Sequence, residues 1–197
     1  MPISNIIIKQ MLNQIRKVTE HDEDDIDMMR FSMEAVLWEI EKLSYLLLIF
    51  LALGFHLQFF AAMLAVITIR PGAGGFHASN PIGCLLWTLF GFALAIFALP
   101  LIPLNNVIII AAGIFSIAAT FVAAPIRSMQ MERIADKSKD KHKKYITTVI
   151  TLGWFVLIFL NQDFFLTEAV MWVIFLLNVQ LLIEYGRRRK PAKEDAQ

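Results

Sequence analysis

The sequence is poor in the residues that define several large classes of protein. Only one of its 197 residues is cysteine, which excludes a disulfide framework and a metal site built from several cysteines. The formal net charge is +1, so the chain has no strongly basic balance of the kind that binds nucleic acid. Charged residues make up 18% of the chain, against about a quarter in ordinary soluble domains. Hydrophobic residues reach 57%, and we therefore expect a membrane protein.

The hydrophobic residues are collected in long runs that contain no Asp, Glu, Lys or Arg. Two runs, 43–69 and 85–126, are longer than the about 20 residues that a helix needs to cross a bilayer. Two shorter runs, 145–162 and 169–183, follow them. The pattern predicts an all-α, polytopic membrane helical bundle with about six hydrophobic segments. Four of these are clear transmembrane helices, and an N-terminal pair forms a hairpin or is partly re-entrant.

Charged and turn-forming residues divide the chain, which we interpret as a single integral membrane domain, 1–197. Its predicted parts are an interfacial amphipathic helix (1–20), a hydrophobic hairpin (31–69), a glycine-rich segment (70–84), a second hairpin (84–125), a basic loop (126–144), a third hairpin (145–184) and a basic tail (185–197). The acidic run at 20–27 lacks the glycine and distal glutamate of a calcium-binding loop, and we interpret it as a solvated linker.

Local signals set the expected helix boundaries. A glycine and two polar residues within 54–58 predict a break between a helix over 31–53 and a shorter helix that ends at Arg70–Pro71. Prolines and asparagines within 100–106 predict the turn of the second hairpin. Gly186 is expected to end the last helix.

Positive charge orients the predicted spans. The segment 127–144 contains seven basic and three acidic residues, and 187–190 is entirely basic. Because Lys and Arg accumulate on the cytoplasmic side, we expect both segments, both termini and the segment 70–84 to face the cytoplasm. If 43–69 were a single span, the N-terminus would lie outside.

The segment from Arg70 to Cys84 (RPGAGGFHASNPIGC) contains four of the nine glycines, three of them within 72–75, and the only cysteine. It lacks the Gly-Lys-Ser/Thr of a phosphate-binding Walker loop. A cysteine nucleophile needs a neighbouring base or cation, and His77 is the candidate base. In a continuous helix the two residues would be about 10.5 Å apart, so the chain must bend between them. Ser79, Asn80 and Pro81 form such a bend signal.

The same bend signal predicts the start of a helix. Asn80 suits the N-cap and Pro81 the first position, which places Cys84 in the first turn. There the helix dipole stabilises a thiolate, and backbone N–H groups can hold an oxyanion. We therefore predict two catalytic residues, Cys84 and His77, with a supporting turn or oxyanion site formed by Arg70, Gly74, Gly75, Ser79 and Asn80. No metal and no cofactor are predicted. A lone cysteine can also be an inert apolar side chain, so spacing alone leaves both interpretations open.

The segment resembles the active-site region of the accessory gene regulator protein B (AgrB) family, membrane-embedded cysteine endopeptidases of Gram-positive bacteria. In that family an arginine, a glycine-rich turn and a histidine are followed seven residues later by a cysteine. The matching residues here are Arg70, Gly74–Gly75, His77 and Cys84. The order of hydrophobic segments, basic loop and charged tail is also similar.

The resemblance implies that the protein processes a short AgrD-like pro-peptide at the plasma membrane of a Gram-positive bacterium, as a homodimer in contact with lipid. Cys84, deprotonated by His77, would attack a peptide bond, release the C-terminal tail and form an acyl-enzyme thioester. A Cys or Ser of the peptide would then close a thiolactone or lactone ring, the precursor of a quorum-sensing pheromone.

Other residues are assigned alternative roles. Basic residues could attract the acidic tail of such a peptide, or only fix topology and bind anionic lipid; they are Arg127, Arg133, Lys137, Lys139, Lys141, Lys143 and Lys144. Arg70 binds a substrate carboxylate or, as we favour, braces the loop. A third catalytic residue is open between Asn80, Ser79 and Glu34.

A different functional class fits the same outline. A small transporter or channel subunit would use Gly74–Gly75 as the break in a discontinuous helix. The later hydrophobic runs contain no ionisable residue, which argues against an ion or proton relay. The leading prediction is therefore a membrane cysteine peptidase.

Overall fold

A computed structural model describes residues 23–74, 81–126, 137–162 and 164–189. These residues form six α-helices, and the described part of the chain contains no strand beyond one isolated bridge between Gly74 and Ile126. The prediction of an all-α membrane bundle is confirmed. The predicted interfacial helix, 1–20, lies outside the described residues.

The helices are numbered in chain order. They are α1 (Glu23–Ala52), α2 (His56–Ala73), α3 (Pro81–Ala93), α4 (Asn106–Ala123), α5 (Lys137–Leu160) and α6 (Thr167–Arg189). α3 continues through a π-helical turn, Leu94–Ala98, into a 3-10 turn, Leu99–Leu101. Pro100 has no N–H to continue the α-helical ladder, which explains this ending. The side-chain oxygen of Asn105 accepts a hydrogen bond from Ile108 N at 2.9 Å and caps α4.

Five of these helices, α2 to α6, are long and apolar enough to cross a bilayer, α3 together with its two following turns. The chain is therefore a multi-pass membrane protein. α1 and α2 occupy the predicted N-terminal pair, and the predicted break between them is present, with Gly54 at φ 80°. α1 is not among the candidate spans, because Glu39, Glu41 and Lys42 interrupt its hydrophobic half.

Several helices extend further than the sequence predicted. α1 is helical from Glu23, so 23–27 of the acidic linker is part of this helix. α5 begins at Lys137, inside the predicted basic loop. α6 passes Gly186 and ends at Arg189. Its last turn is stabilised by Glu184, which forms ion pairs with the following arginines 187 and 188 at 3.5 and 3.0 Å.

The chain divides into two compact units, Met1–Ala52 and Leu53–Gln197. In the first unit, Lys42 is buried and its ammonium group lies 2.6 Å from the Glu39 carboxylate on the same helix. The second unit contains α2 to α6. The single-domain interpretation of the sequence stays a prediction.

α6 is the central helix of the second unit. It contacts α2, α4, α5 and the π-helical turn that follows α3, while α5 also packs against α2 and α4. Met171, Ile174 and Leu181 of α6 are almost completely buried in these contacts. Lipid is as apolar as these side chains, so close packing and interhelical hydrogen bonds hold such helices together.

Side-chain hydrogen bonds connect two pairs of helices. Thr120 Oγ1 of α4 donates to Asn178 Oδ1 of α6 at 2.7 Å, and both side chains are buried. The Asn178 amide also donates to the Ile174 carbonyl at 2.9 Å. Trp154 Nε1 of α5 donates to Thr68 Oγ1 of α2 at 2.9 Å. These bonds fix α6 on α4 and α5 on α2.

Two glycines let the end of α2 approach its neighbours closely. Gly74 has φ 76°, and its N–H donates to the Arg70 carbonyl at 2.8 Å, which closes the helix. Ile126 N donates to the Ala73 carbonyl at 2.9 Å. A Cβ on Gly74 would overlap the Ile126 carbonyl oxygen, and a Cβ on Gly72 would overlap Thr147 Oγ1 of α5. The end of α2 is therefore held by contacts that only glycine permits.

We predict that Gly74→Ala destabilises the protein. A side chain at φ 76° and ψ −154° costs about 1–3 kcal/mol, and the overlap is with backbone, so no rotamer relieves it. We expect the midpoint of thermal unfolding in detergent to fall by roughly 5 °C. The control is Gly153→Ala in α5, where no atom lies within 4 Å of the added Cβ. Equal midpoints for the two variants would contradict the prediction.

Candidate active site

Cys84 lies in the first turn of α3. The helix begins at Pro81, a residue suited to the first helical position because it has no N–H that would need a partner there. The Cys84 thiol is free and half-buried. Its carbonyl oxygen accepts a hydrogen bond from Thr88 Oγ1 at 2.8 Å, one turn further along the helix. Cys84 is thus at the positive end of the α3 dipole, as the sequence predicted.

Cys84 and Arg70 line the same cleft between α2, α3 and α6. The cleft is open, and its volume is about 40 Å³. Most of its wall is apolar and includes Val66, Phe92 and Leu176. The side chains that can form hydrogen bonds there are Arg70, Cys84, Trp87, Thr88 and Gln180. An apolar cleft with a few polar groups is typical of ligand-binding sites.

Arg70 enters the cleft from the last turn of α2. Gly74 closes this helix on the Arg70 carbonyl oxygen, so the glycine-rich turn fixes the backbone that carries the guanidinium. Within the described ranges, no group accepts a hydrogen bond from that guanidinium. A guanidinium has five N–H donors, which suit the oxygen atoms of a ligand or of the segment that follows α2. The bracing role that the sequence favoured stays a prediction, because Gly75 to Asn80 lie outside the described residues.

Several predicted site residues fall outside the described part of the chain. These are Gly75, His77, Ser79, Asn80, Arg127 and Arg133. The side chains of Lys137 and Lys139 are also outside the description, although both residues belong to α5. The Cys84–His77 pair therefore stays a prediction. Glu34 belongs to α1 of the first unit, where it accepts a hydrogen bond from Arg30 Nε at 3.0 Å.

The start of α5 brings lysines to the same end of the second unit as the cleft. Gly72, two residues after Arg70, packs on Thr147 of α5, and Thr147 Oγ1 donates to the Lys143 carbonyl at 2.7 Å. Lys141 and Lys143 are exposed, and the Lys144 ammonium lies 4.4 Å from the centre of the Phe121 ring.

Gln180 is a cleft residue that the sequence analysis did not identify. It lies on α6, which the sequence predicted only as a hydrophobic span. The sequence does contain one indication of it. Gln180 has an amide side chain inside the uncharged run 169–183, and polar side chains in a membrane helix commonly face a cavity or another helix. Among the described residues, no group of three His, Cys, Asp or Glu side chains is placed to hold a metal ion.

Comparison with known proteins places the chain in a family. The sequence matches the family model described as accessory gene regulator B over residues 4–183. The chain belongs to the accessory gene regulator B family. Membership confirms the resemblance and supports involvement in the processing of accessory gene regulator quorum-sensing peptides.

Individual relatives of this AgrB-family chain have the same description. A putative AgrB-like protein of Listeria welshimeri is 30% identical over 139 residues, covering 70% of this chain and 68% of that protein. One of Clostridium beijerinckii is 27% identical over 160 residues, covering 81% and 78%. One of Clostridium perfringens is 19% identical over 180 residues, covering 91% and 96%. No solved structure matches.

We predict that filling the cleft slows chemical labelling of Cys84. It is the only cysteine, so a water-soluble maleimide modifies one site. Leu176 lines the cleft opposite Cys84, and Leu176→Trp should reduce the labelling rate several-fold, because the indole occupies the space the reagent must enter. The measurement is intact mass against time in lipid nanodiscs. Leu152→Trp, at an exposed position of α5, is the control and should label at the wild-type rate.

Proposed function

We propose that this AgrB-family protein is a membrane cysteine endopeptidase that removes the C-terminal tail from a short quorum-sensing pro-peptide. The observation that carries the proposal is the cleft in which Cys84, at the start of α3, and Arg70, at the end of α2, face a common volume. The cleft combines a nucleophile at a helix N-terminus, a cationic side chain and mainly apolar walls. These are the parts that acyl transfer from a peptide requires.

The first step forms a thioester. His77 accepts the proton of the Cys84 thiol, and the thiolate attacks the carbonyl carbon of the scissile peptide bond. The positive end of the α3 dipole stabilises first the thiolate and then the oxyanion of the tetrahedral intermediate. The C–N bond breaks, His77 returns its proton to the leaving amine, and the tail departs. The rest of the peptide remains bound to Cys84 Sγ.

The second step closes a ring. The thiol or hydroxyl of a Cys or Ser in the bound peptide loses its proton to His77 and attacks the thioester carbonyl carbon. The C–S bond to Cys84 breaks, its thiolate is reprotonated, and the product is a cyclic thiolactone or lactone. A nucleophile on the same peptide has a high effective concentration, and the apolar walls limit competition from water.

We base the binding positions of the two ends of the substrate on charge. Arg70 binds a carboxylate or carbonyl oxygen of the peptide in the cleft, while the lysines at the start of α5 attract the acidic tail. α5 and α6 form an antiparallel hairpin, so the arginines at the end of α6 lie at the same end of the unit. The positive-inside rule makes this end cytoplasmic.

The deciding test is intact-mass analysis of wild type and Cys84→Ala after mixing with a pro-peptide in lipid. The peptide is the one encoded by a short reading frame beside the gene, with an amphipathic leader, a central Cys or Ser and an acidic tail. We expect a covalent adduct, a cyclic product and a released tail from wild type, and none from Cys84→Ala. Equal cleavage by both proteins would assign the chemistry to another residue.

A second prediction concerns the lysines. In Lys141→Gln/Lys143→Gln, tail release at low peptide concentration should slow about tenfold at low salt and approach the wild-type rate at high salt, because exposed charges are screened over about 10 Å at 0.1 M salt. The control is a pro-peptide whose tail carboxylates are replaced by amides, for which the variant and wild type should not differ. A defect that is independent of both salt and tail charge would contradict the assignment.

A further inference from the structure

A second cleft adjoins the one that contains Cys84. It is lined by Trp87, Gln180, Ile183 and Arg187 and has a volume of about 220 Å³. Trp87 and Gln180 line both clefts, so the two clefts meet at these side chains. The path from Cys84 therefore continues between α3 and α6 toward the end of α6.

Gln180 offers hydrogen bonds at this junction. Its side chain is half-buried, and in the described part of the chain its amide has no hydrogen-bond partner. Gly91 faces it from α3, where an added Cβ would lie 3.7 Å from Gln180 Nε2. The amide is thus directed across the groove at α3. It provides two N–H donors and one acceptor oxygen.

The neighbouring amide on α6 behaves differently. Asn178 is buried, accepts a hydrogen bond from Thr120 and donates one to the Ile174 carbonyl, so its role is to join helices. An amide removed from water costs free energy unless it is hydrogen-bonded. Gln180 is only half-buried and faces the groove, so a ligand bound there can supply its hydrogen-bond partners. The backbone N–H and C=O of a peptide match an amide in both directions.

We propose that Gln180 is a substrate-binding residue that hydrogen-bonds the backbone of the pro-peptide next to the bond cleaved at Cys84. The second cleft then holds an apolar side chain of the same peptide between Trp87, Ile183 and the aliphatic part of Arg187. Trp87 and Ile183 are apolar, and the charge of Arg187 is already paired with Glu184 at 3.5 Å, so the cleft suits the acyl part that Cys84 retains better than an acidic tail. This inference rests on the proposed function.

The first test is the kinetics of tail release by Gln180→Met, which keeps the volume and removes the amide. Loss of one hydrogen bond should raise the peptide concentration for half-maximal rate about five- to tenfold and leave the maximal rate within about twofold. Gln58→Met in α2 is the matched control, because Gln58 lines neither cleft. Wild-type kinetics for Gln180→Met, or a fall in the maximal rate alone, would overturn the proposal.

A second measurement separates contact from folding. The substrates are pro-peptides in which one backbone amide at a time is replaced by an ester. Wild type should cleave the peptide less efficiently when the ester is at one position near the scissile bond. Gln180→Met should cleave that peptide as efficiently as it cleaves the all-amide peptide. If Gln180 has only a structural role, Gln180→Met should have a lower thermal midpoint than wild type, and the ester should reduce cleavage by both proteins equally. That outcome would refute substrate binding.

A third measurement does not depend on cleavage. A photoreactive p-benzoylphenylalanine at position 180 in Cys84→Ala should cross-link to the pro-peptide on the acyl side of the scissile bond, and the same residue at position 58 should not. Cross-linking at 180 with no cleavage by wild type would support the binding inference while removing the peptidase proposal. Peptide that binds without cross-linking at 180 would remove the inference and leave the peptidase proposal in place.

Discussion

The close contact at the end of α2 is the constraint on which the candidate site depends. Gly74, at a positive φ, brings the backbone of this end against Ile126, and Gly72 brings it against Thr147 of α5. A larger side chain at either position would push α2 away from its neighbours. Arg70 is one turn before Gly74, so the same contact fixes the backbone from which the guanidinium reaches the Cys84 cleft. The glycines act here as packing residues rather than as a flexible loop.

Two amide side chains of α6 differ in role: one joins helices, and we propose that the other binds the substrate. Asn178 is completely enclosed and has partners on α4 and on its own helix, which contributes to helix association where lipid gives no hydrophobic driving force. Gln180 is two residues away, turned to a different face, and lines both clefts. The pattern of polar residues in the sequence cannot distinguish the two, because the distinction depends on which helix each one faces.

The sequence predicted the features that depend on local chemistry. The break at Gly54, the start of α3 at Pro81 and the turn before Asn106 are set by a few adjacent residues, and the structure contains all three. The end of α6 was not predicted: a glycine was expected to end the helix, but α6 continues past Gly186, where Glu184 forms i,i+3 and i,i+4 ion pairs with the arginines beyond it. The meeting of Arg70, Cys84 and Gln180 requires three helices to pack together, and no local pattern encodes that arrangement.

The proposed two-step reaction makes opposite demands on its two fragments, and the molecule has two kinds of binding group to meet them. The tail must leave after cleavage, whereas the acyl part must stay until the ring closes. In the proposed function, the exposed lysines of α5 would act on the tail through charges screened over about 8 Å at physiological salt, and would attract it without holding it firmly. Gln180 and the second cleft, as proposed, would act by direct contact within a mainly apolar groove, where hydrogen bonds are stronger than in water. Loss of the tail therefore weakens no contact that orients the thioester for ring closure.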